Sequence, residues 1–417
     1  MQKNTEIILF TYDYPFGKSE KTFIEYELSQ LSKDFDKIEI INQKNSENKI
    51  EENYINKNKI EFNNNFAKKI SIYNLIEIFF TKVLFEKIFW KELSNILFKK
   101  KFLKKLKMCV NEISLSFLLV NYICKIKNKN DKIIFYSFWS NFTLISFIKL
   151  KKIYKNAKFI SRALGSDLNG YIKNDDFVPY KNVKFSALDK LFLLGEYQKQ
   201  KLPNINLNNK IEICPLGVFQ QEFSEHDKNK IKLIDPIIFI SCGNLIEIKN
   251  NLLMIDFISK FNEITKRKVE FILIGKGKLK KKIIDKLKSN PKIIYQQYDR
   301  VDNFVDFLLD NKVHFFLNFS SQEGMPFTIM EAMSCGIPII ASNIKPNEYL
   351  VRDRGYLLKL ENYTNSSKIL LQEINQDLIN INRYYLKSEN SYKFIKNNLI
   401  NENCYNKFKK ILDNIGS

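Results

Sequence analysis

At 417 residues the chain is long for a single domain, and two domains of about 200 residues each are the natural expectation. The formal net charge of +21 admits a nucleic-acid, anionic-membrane or anionic-substrate partner, or simply the lysine-rich surface that an AT-rich genome encodes. No RNP-like, zinc-finger or basic-zipper spacing is present, which argues against nucleic acid.

Six cysteines spread without a C-x-x-C pair fit buried free thiols in a reducing compartment, and two histidines, His226 and His314, leave too little for a His-rich metal site. No signal-peptide pattern precedes the first apolar run, 7–10. Apolar stretches such as 117–120 fall far short of the ~20 residues of a spanning helix, so a cytoplasmic protein is expected.

Short apolar, β-branched runs then recur between helical patterns. They are 7–10, 38–41, 133–136, 159–161, 191–194 and 211–214 in the first half, and 237–241, 269–274, 293–295, 313–318, 337–342 and 355–358 in the second. Near-continuous apolar strands alternating with helices predict parallel sheets covered on both faces, hence an α/β fold of two doubly wound domains. Residues 43–63, rich in Asn, Lys and Glu, read as a surface loop. Residues 70–127 carry helical spacing at Ile72, Leu75, Ile76, Phe79 and Val83. Within them FKKKFLKKLK, 98–107, reads either as an amphipathic helix on anionic lipid or as an ordinary surface helix with an apolar inner face. The stretch 220–235, charged and without apolar period, marks the join.

The segment FLNFSSQEGMPFTIMEAMSCGIPIIAS, 316–342, is the richest in chemistry. A buried strand is expected to end at Asn318, and Glu323-Gly324-Met325-Pro326 to lead into a helix from about Phe327. Ligands of open α/β sheets bind at the carboxyl ends of strands. A Gly-Met-Pro turn entering a helix directs backbone N–H groups, those of Phe327 and Thr328 among them, and the helix dipole toward an anion. Glu323 and Glu331 stand eight apart, near one helical face and about two turns apart. Two such glutamates are either a solvated face or a pair that faces a bound ligand. Gly336 and Pro338 end the helix.

This segment resembles the E-x7-E signature of glycosyltransferase family 4 in its S-x-x-E-G-x-P…E-A-M-x-x-G-x-P setting. ISCGNLIEIKN, 240–250, resembles the family's strand–G-R-L-x-x-x-K segment, whose Arg and Lys clamp the donor diphosphate; Gly243 and Lys249 match, and Asn244 stands at the Arg position. IGKG, 274–277, resembles the family's G-x-G turn through Gly275 and Gly277, a pattern that a plain tight turn also produces. LGV, 216–218, resembles the end of the family's N-terminal domain. FTYDYPFGKSEKTF, 10–23, containing Gly17 and Glu20, looks like the loop that approaches donor and acceptor. YSFW, 136–139, and SRALGSD, 161–167, resemble Y-S-x-W and S-R-A-H-G-x-D of a bacterial subgroup, with Arg162 and Asp167 in place and Leu164 at the His position.

The resemblance implies the GT-B fold: two Rossmann-like doubly wound parallel-sheet domains facing across a cleft. They would be an acceptor-side domain over 1–228, with a basic amphipathic insertion at about 65–127, and a nucleotide-sugar-binding domain over 229–390, with a helix over 391–417 returning to the first. It implies a retaining glycosyltransferase moving a hexose-type sugar from a nucleotide sugar to a cell-envelope glycan or lipid-linked acceptor, with no metal or other cofactor and no nucleic-acid partner, in the cytoplasm or peripheral at the inner face of the plasma membrane. It assigns catalysis to Glu323 and Lys249, donor binding to Glu331, Gly324, Met325, Pro326, Phe327, Thr328, Gly243, Asn244, Gly275 and Gly277, and the acceptor side to Gly17, Glu20, Arg162 and Asp167. Leu164 and Asn244 motivate a second reading, a non-catalytic glycan- or membrane-binding subunit of the same fold. A nucleotide-sugar epimerase is a third.

Overall fold

The computed structural model describes residues 5–17, 20–44, 59–170, 176–204, 206–207, 209–221 and 235–416. The chain forms two compact units, Met1–Leu216 with Cys404–Ser417, and Gly217–Asn403. Most of the join expected at 220–235, and with it the 228/229 boundary, lies outside the described residues.

The first unit runs β1 (Glu6–Thr11), α1 (Lys21–Asp34), β2 (Lys37–Asn42) and β3 (Ile60–Asn63), then α2 (Asn65–Lys68), α3 (Ile72–Thr81), α4 (Lys87–Ile96) and α5 (Phe102–Ile126). It continues through β4 (Ile133–Ser137), α6 (Thr143–Ile153), β5 (Lys158–Ala163), α7 (Ser166–Asn169), α8 (Lys181–Lys184), β6 (Lys190–Leu193) and β7 (Ile211–Ile213). The sheet order is β3-β2-β1-β4-β5-β6-β7, and every pairing is parallel. The fully buried faces of β1, β4 and β5 explain their unbroken apolar runs. Phe10, Phe135, Phe147 and Phe159 interlock in the core beneath them.

Two expectations for this unit need correction. The stretch 43–63 is not all loop, because Ile60–Asn63 adds an edge strand to β2; four residues with only Ile60 buried leave almost no apolar signal. Residues 98–107 are not one amphipathic helix. The chain turns between α4 and α5, with Lys101 at φ 59°, and on α5 Phe102 and Leu106 pack on the core while Lys105 is buried. By length and composition α5 is long and apolar enough to cross a membrane, contrary to the expectation from short apolar runs, but most of it is buried inside this unit.

The second unit runs β8 (Ile237–Cys242), α9 (Asn251–Thr265), β9 (Val269–Ile274), α10 (Lys280–Lys288), β10 (Ile293–Tyr298), α11 (Phe304–Asp310), β11 (Phe315–Asn318), α12 (Phe327–Ser334), β12 (Ile339–Ser342), α13 (Lys345–Val351), β13 (Tyr356–Leu358), α14 (Tyr363–Ile379) and α15 (Ile381–Asn398). Its sheet order is β10-β9-β8-β11-β12-β13, again all parallel. In each sheet the chain winds outward one way and then the other, so strand order reverses between β1 and β4 and between β8 and β11. In open parallel sheets the loops diverge at such a reversal and leave room for a ligand beyond the strand ends.

The last helix, α16 (Asn401–Gly416), belongs mainly to the first unit. Tyr405 donates to Asp34 at 2.7 Å, and Phe408 packs on Tyr136, Phe192 and the Arg162 guanidinium. That guanidinium is only 1% exposed. It pairs with Glu27, donates to Tyr136 Oη at 2.8 Å and reaches the Cys214 carbonyl at 2.7 Å. Removing one partner of a buried pair strands the other charge. Glu27→Leu should therefore lower unfolding stability in urea by about 3–5 kcal/mol, and adding Arg162→Met should recover most of that loss. A single-variant cost below about 1 kcal/mol would contradict the buried pair.

Candidate functional site

In the second unit, the loops at the ends of β8 and β9 are pressed backbone to backbone. A Cβ on Gly275 would lie 1.9 Å from the Gly243 carbonyl oxygen, and one on Gly277 2.2 Å from that of Leu245. Hydrogen bonds lock the contact: Gly243 N–H to the Ile274 carbonyl at 3.0 Å, and Leu245 N–H to the Lys276 carbonyl at 2.8 Å. Gly275 and Gly277 are thus required by the close approach itself. They shape the floor of the loops whether or not a ligand touches them.

The β8 loop is tied to the β11 loop as well. It turns through Glu247–Lys249 to Asn250, at φ 51°, whose amide donates to the Phe319 carbonyl at 2.9 Å. Ser321 N–H donates to the Ile248 carbonyl at 2.8 Å. These bonds set Lys249 Nζ 2.5 Å from Glu323 Oε1, and Asn318 Nδ2 lies 3.2 Å from the same oxygen. Both partners of the ion pair are partly buried, Lys249 at 22% and Glu323 at 13% side-chain exposure. The two residues assigned to catalysis are therefore in direct contact, although 74 residues separate them.

Glu323 opens the turn that enters α12. Met325 and Pro326 are buried, Pro326 holds the N-cap position, and Gly324, Phe327 and Thr328 are half-buried at the first turn. Within that turn the Ile329 N–H donates to the Pro326 carbonyl at 3.1 Å, and the positive end of the helix dipole lies there. Gly336, at φ 68°, closes the helix in the left-handed conformation expected of a C-terminal glycine. Glu331, one turn before that end, is pushed up to about 7 by burial. Its charge and that of Lys249 both act on the Cys242 thiol at the end of β8, which burial pushes up to about 12. Lys249, Glu323 and Glu331 thus share one locality at the strand-order reversal of this sheet. Asn244 is exposed on the same loop.

The residues expected on the acceptor side behave differently. Glu20 is 1% exposed; one carboxylate oxygen accepts the N–H groups of Tyr12, Asp13 and Tyr14 at 2.8, 2.8 and 3.0 Å, and the other accepts the Trp139 indole N–H. Burial raises its pKa against these bonds. Glu20 therefore clamps the β1 loop to the β4 loop. Gly17 closes that loop on the Asp13 carbonyl at 2.6 Å. Asp167 accepts from Leu164, Gly165 and Ser140 N–H groups and so shapes the loop after β5. Arg162 lies in the core described above. Glu20 and Arg162 hold structural positions, since a carboxylate or guanidinium that is 1% exposed presents nothing to a ligand. Leu164, at 9% exposure, also faces inward.

Asn318, Asn250 and Trp139 shape these loops, a role the sequence reading did not give them. A polar residue closing an otherwise apolar strand, as in FFLN, was the available signal for Asn318.

The fold is GT-B, two all-parallel α/β units as in solved glycosyltransferases. One is a Staphylococcus aureus TarM mutant solved with Fondaparinux, alpha-GlcNAc-glycerol and UDP. It aligns with a TM-score of 0.65 at 13% identity, covering 97% of this chain and 99% of that one. Residues 223–385 match the model of the family described as Glycosyl transferases group 1, a span that includes Lys249, Glu323 and Glu331. Among curated proteins, an uncharacterized glycosyltransferase of Methanocaldococcus jannaschii is 27% identical over 254 residues, 53% of this chain and 58% of that protein. The O-antigen biosynthesis glycosyltransferase WclY of Escherichia coli is 28% identical over 186 residues, 40% of this chain and 48% of that protein. The chain thus spans about half the length of the curated relatives it matches.

The raised Glu331 carboxyl has a consequence for stability. Its ordinary value is 4.5 and its folded value about 7, so ionisation disfavours the fold increasingly between those values and fully above pH 7. Glu331→Gln should stabilise the protein above pH 7, by no more than about 3 kcal/mol, with the gain fading as pH falls toward 4.5. Urea titrations at several pH values would read it, and a gain independent of pH would contradict the burial of the carboxyl.

Proposed function

We propose that the chain is a retaining glycosyltransferase whose second unit binds a nucleotide sugar at the Lys249–Glu323–Glu331 cluster. The observation that carries this reading is the 2.5 Å contact of Lys249 with Glu323 at the strand-order reversal, beside a helix N-terminus, inside the span that matches the group 1 glycosyltransferases.

A nucleoside diphosphate leaving group needs its charge neutralised, and Lys249 with the first-turn N–H groups of α12 supplies that. Such aimed donors are worth about 3–4 kcal/mol each in other enzymes. Glu323 holds hydroxyls of the transferred sugar and steadies the charge developing at the anomeric carbon. Glu331 accepts the ribose hydroxyls, and those bonds favour its ionised form. Transfer proceeds with retention, by positioning and electrostatics rather than through a protein nucleophile. The reaction uses no metal, because Lys249 occupies that electrostatic role; a chelator leaves turnover unchanged on this reading.

The donor is a hexose-type nucleotide sugar, with UDP-sugars the first to test given the UDP in the TarM complex. The acceptor is a cell-envelope glycan or lipid-linked saccharide of the lipopolysaccharide or capsule type, consistent with the O-antigen relative, and the protein works on the cytoplasmic side. Within this scheme Glu323 is the member of the E-x7-E pair that acts on the sugar, as in glycosyltransferase family 4.

Lys249 is paired with Glu323, so an incoming diphosphate competes with that carboxylate. Glu323→Gln removes the competitor and the transition-state contact together. It should lower kcat at least about tenfold, some 1.4 kcal/mol, while KM for the donor stays level or falls. Steady-state kinetics with the donor found by screening nucleotide sugars for thermal stabilisation decides this. Turnover within about twofold of wild type would remove Glu323 from the reaction and favour the non-catalytic reading that Leu164 and Asn244 suggest.

A further inference from the structure

Among the described residues, many of the large hydrophobic side chains left exposed gather between 72 and 103. On α3 they are Ile72, Tyr73, Ile76 and Phe80, with 72, 76 and 80 spaced to share one helical face. Phe85 follows in the short turn before α4, Trp90 stands on α4, and Leu97, Phe98 and Leu103 flank the turn into α5. Phe98 is 96% exposed, Tyr73 81% and Phe85 80%. Exposed apolar residues scattered singly are ordinary, whereas a connected set is not.

Ring contacts connect two of these, Phe80 and Trp90, and the rest lie close by in sequence. Phe80 packs on Phe79 at 5.3 Å, Phe79 on Phe89 at 5.9 Å, and Phe89 on Trp90 at 5.5 Å. Four rings therefore run from α3 to α4, with an exposed ring at each end. The Trp90 indole N–H donates to the Leu84 carbonyl at 2.7 Å, which ties the indole to the turn before α4. The opposite sides of the same helices, through Ile78, Phe89 and Ile96, are buried in the core.

The charge around this face is one-sided. Residues 65–107 contain eleven lysines and three glutamates. Lys87, Lys91, Lys99, Lys100 and Lys104 are exposed. Of the glutamates, Glu86 is bonded to Lys149 at 2.6 Å and Glu92 is buried against the Tyr180 N–H, which leaves Glu77 exposed. Aromatic rings held outward within a field of lysines match the two layers of an anionic bilayer surface: rings at the acyl boundary, ammonium groups at the phosphates.

We propose that this face of the first unit, α3 to the start of α5, docks on an anionic phospholipid membrane, with Phe85, Trp90 and Phe98 entering the headgroup layer. The face belongs to the first unit and the donor cluster to the second, and the proposal stands or falls independently of the transfer reaction.

The test is sedimentation of the full chain with phosphatidylcholine vesicles, with and without phosphatidylglycerol, at low and high salt. The proposal expects binding to the anionic vesicles alone, weakened by salt, with a blue shift of tryptophan emission that Trp90→Phe abolishes. Phe85→Ser/Phe98→Ser/Leu103→Ser, all at exposed positions, should lower the partition at least about tenfold, and each lysine replaced by Gln about fivefold, without changing the thermal unfolding temperature. Equal binding to both vesicle types, or to neither, overturns it. So does binding to anionic vesicles that the triple variant leaves intact, which would assign the attraction to the overall charge. Concentration-dependent self-association abolished by the triple variant, without lipid binding, would assign the face to a second copy of this chain and equally overturn it.

Discussion

The ion pair between Lys249 and Glu323 concentrates what is chemically distinctive about this chain. It is not a surface pair that two flexible side chains happen to make. Its partners come from loops at the ends of β8 and β11, neighbouring strands that follow each other in space but not in sequence. Those loops are fixed by main-chain contacts: the Asn250 amide on Phe319, the Ser321 N–H on Ile248, and the glycine-lined approach of the β9 turn beneath them. A partly buried cation held against a carboxylate beside a helix N-terminus is a site poised for an anion. The fold has already oriented the groups, so an anion that took the carboxylate's place would need little rearrangement.

The first unit uses its buried charges differently. Glu20 gathers three consecutive N–H groups and an indole, Asp167 gathers three more, and Arg162 is enclosed by Glu27, Tyr136, Cys214 and the rings of Phe192 and Phe408. Each stands at or near the carboxyl ends of β1, β4 or β5, where loops diverge and lose the regular hydrogen bonding of the sheet. Charged side chains there satisfy main-chain groups that would otherwise be buried without partners. They position the loops, and Glu20 and Arg162 do not face solvent.

Much of this was legible before the structure. Unbroken apolar runs such as 7–10, 133–136 and 191–194 announce strands buried on both faces, and their alternation with helices gives the parallel topology. The helix from Phe327, its glycine stop at Gly336 and the grouping of Glu323, Glu331 and Lys249 followed from local chemistry and motif order. What escaped was long-range or weakly encoded. The edge strand at Ile60–Asn63 has one buried residue and no apolar alternation to betray it. The basic stretch 98–107 has helical spacing, yet Lys101 adopts a positive φ and the chain turns there because Phe102 and Lys105 must enter the core. The roles of Arg162 and Glu20 depend on Glu27 and Trp139, partners 135 and 119 residues away, whose proximity no local pattern reveals.

The central claim is that Lys249 and its neighbours hold the diphosphate of a nucleotide donor. Calorimetric titration of UDP into the full-length protein and into Lys249→Ala tests it most directly. The account predicts binding by the wild type and a loss of at least about tenfold, roughly 1.4 kcal/mol, in the variant, with the fold unchanged by circular dichroism. Equal affinity in the two proteins would contradict it.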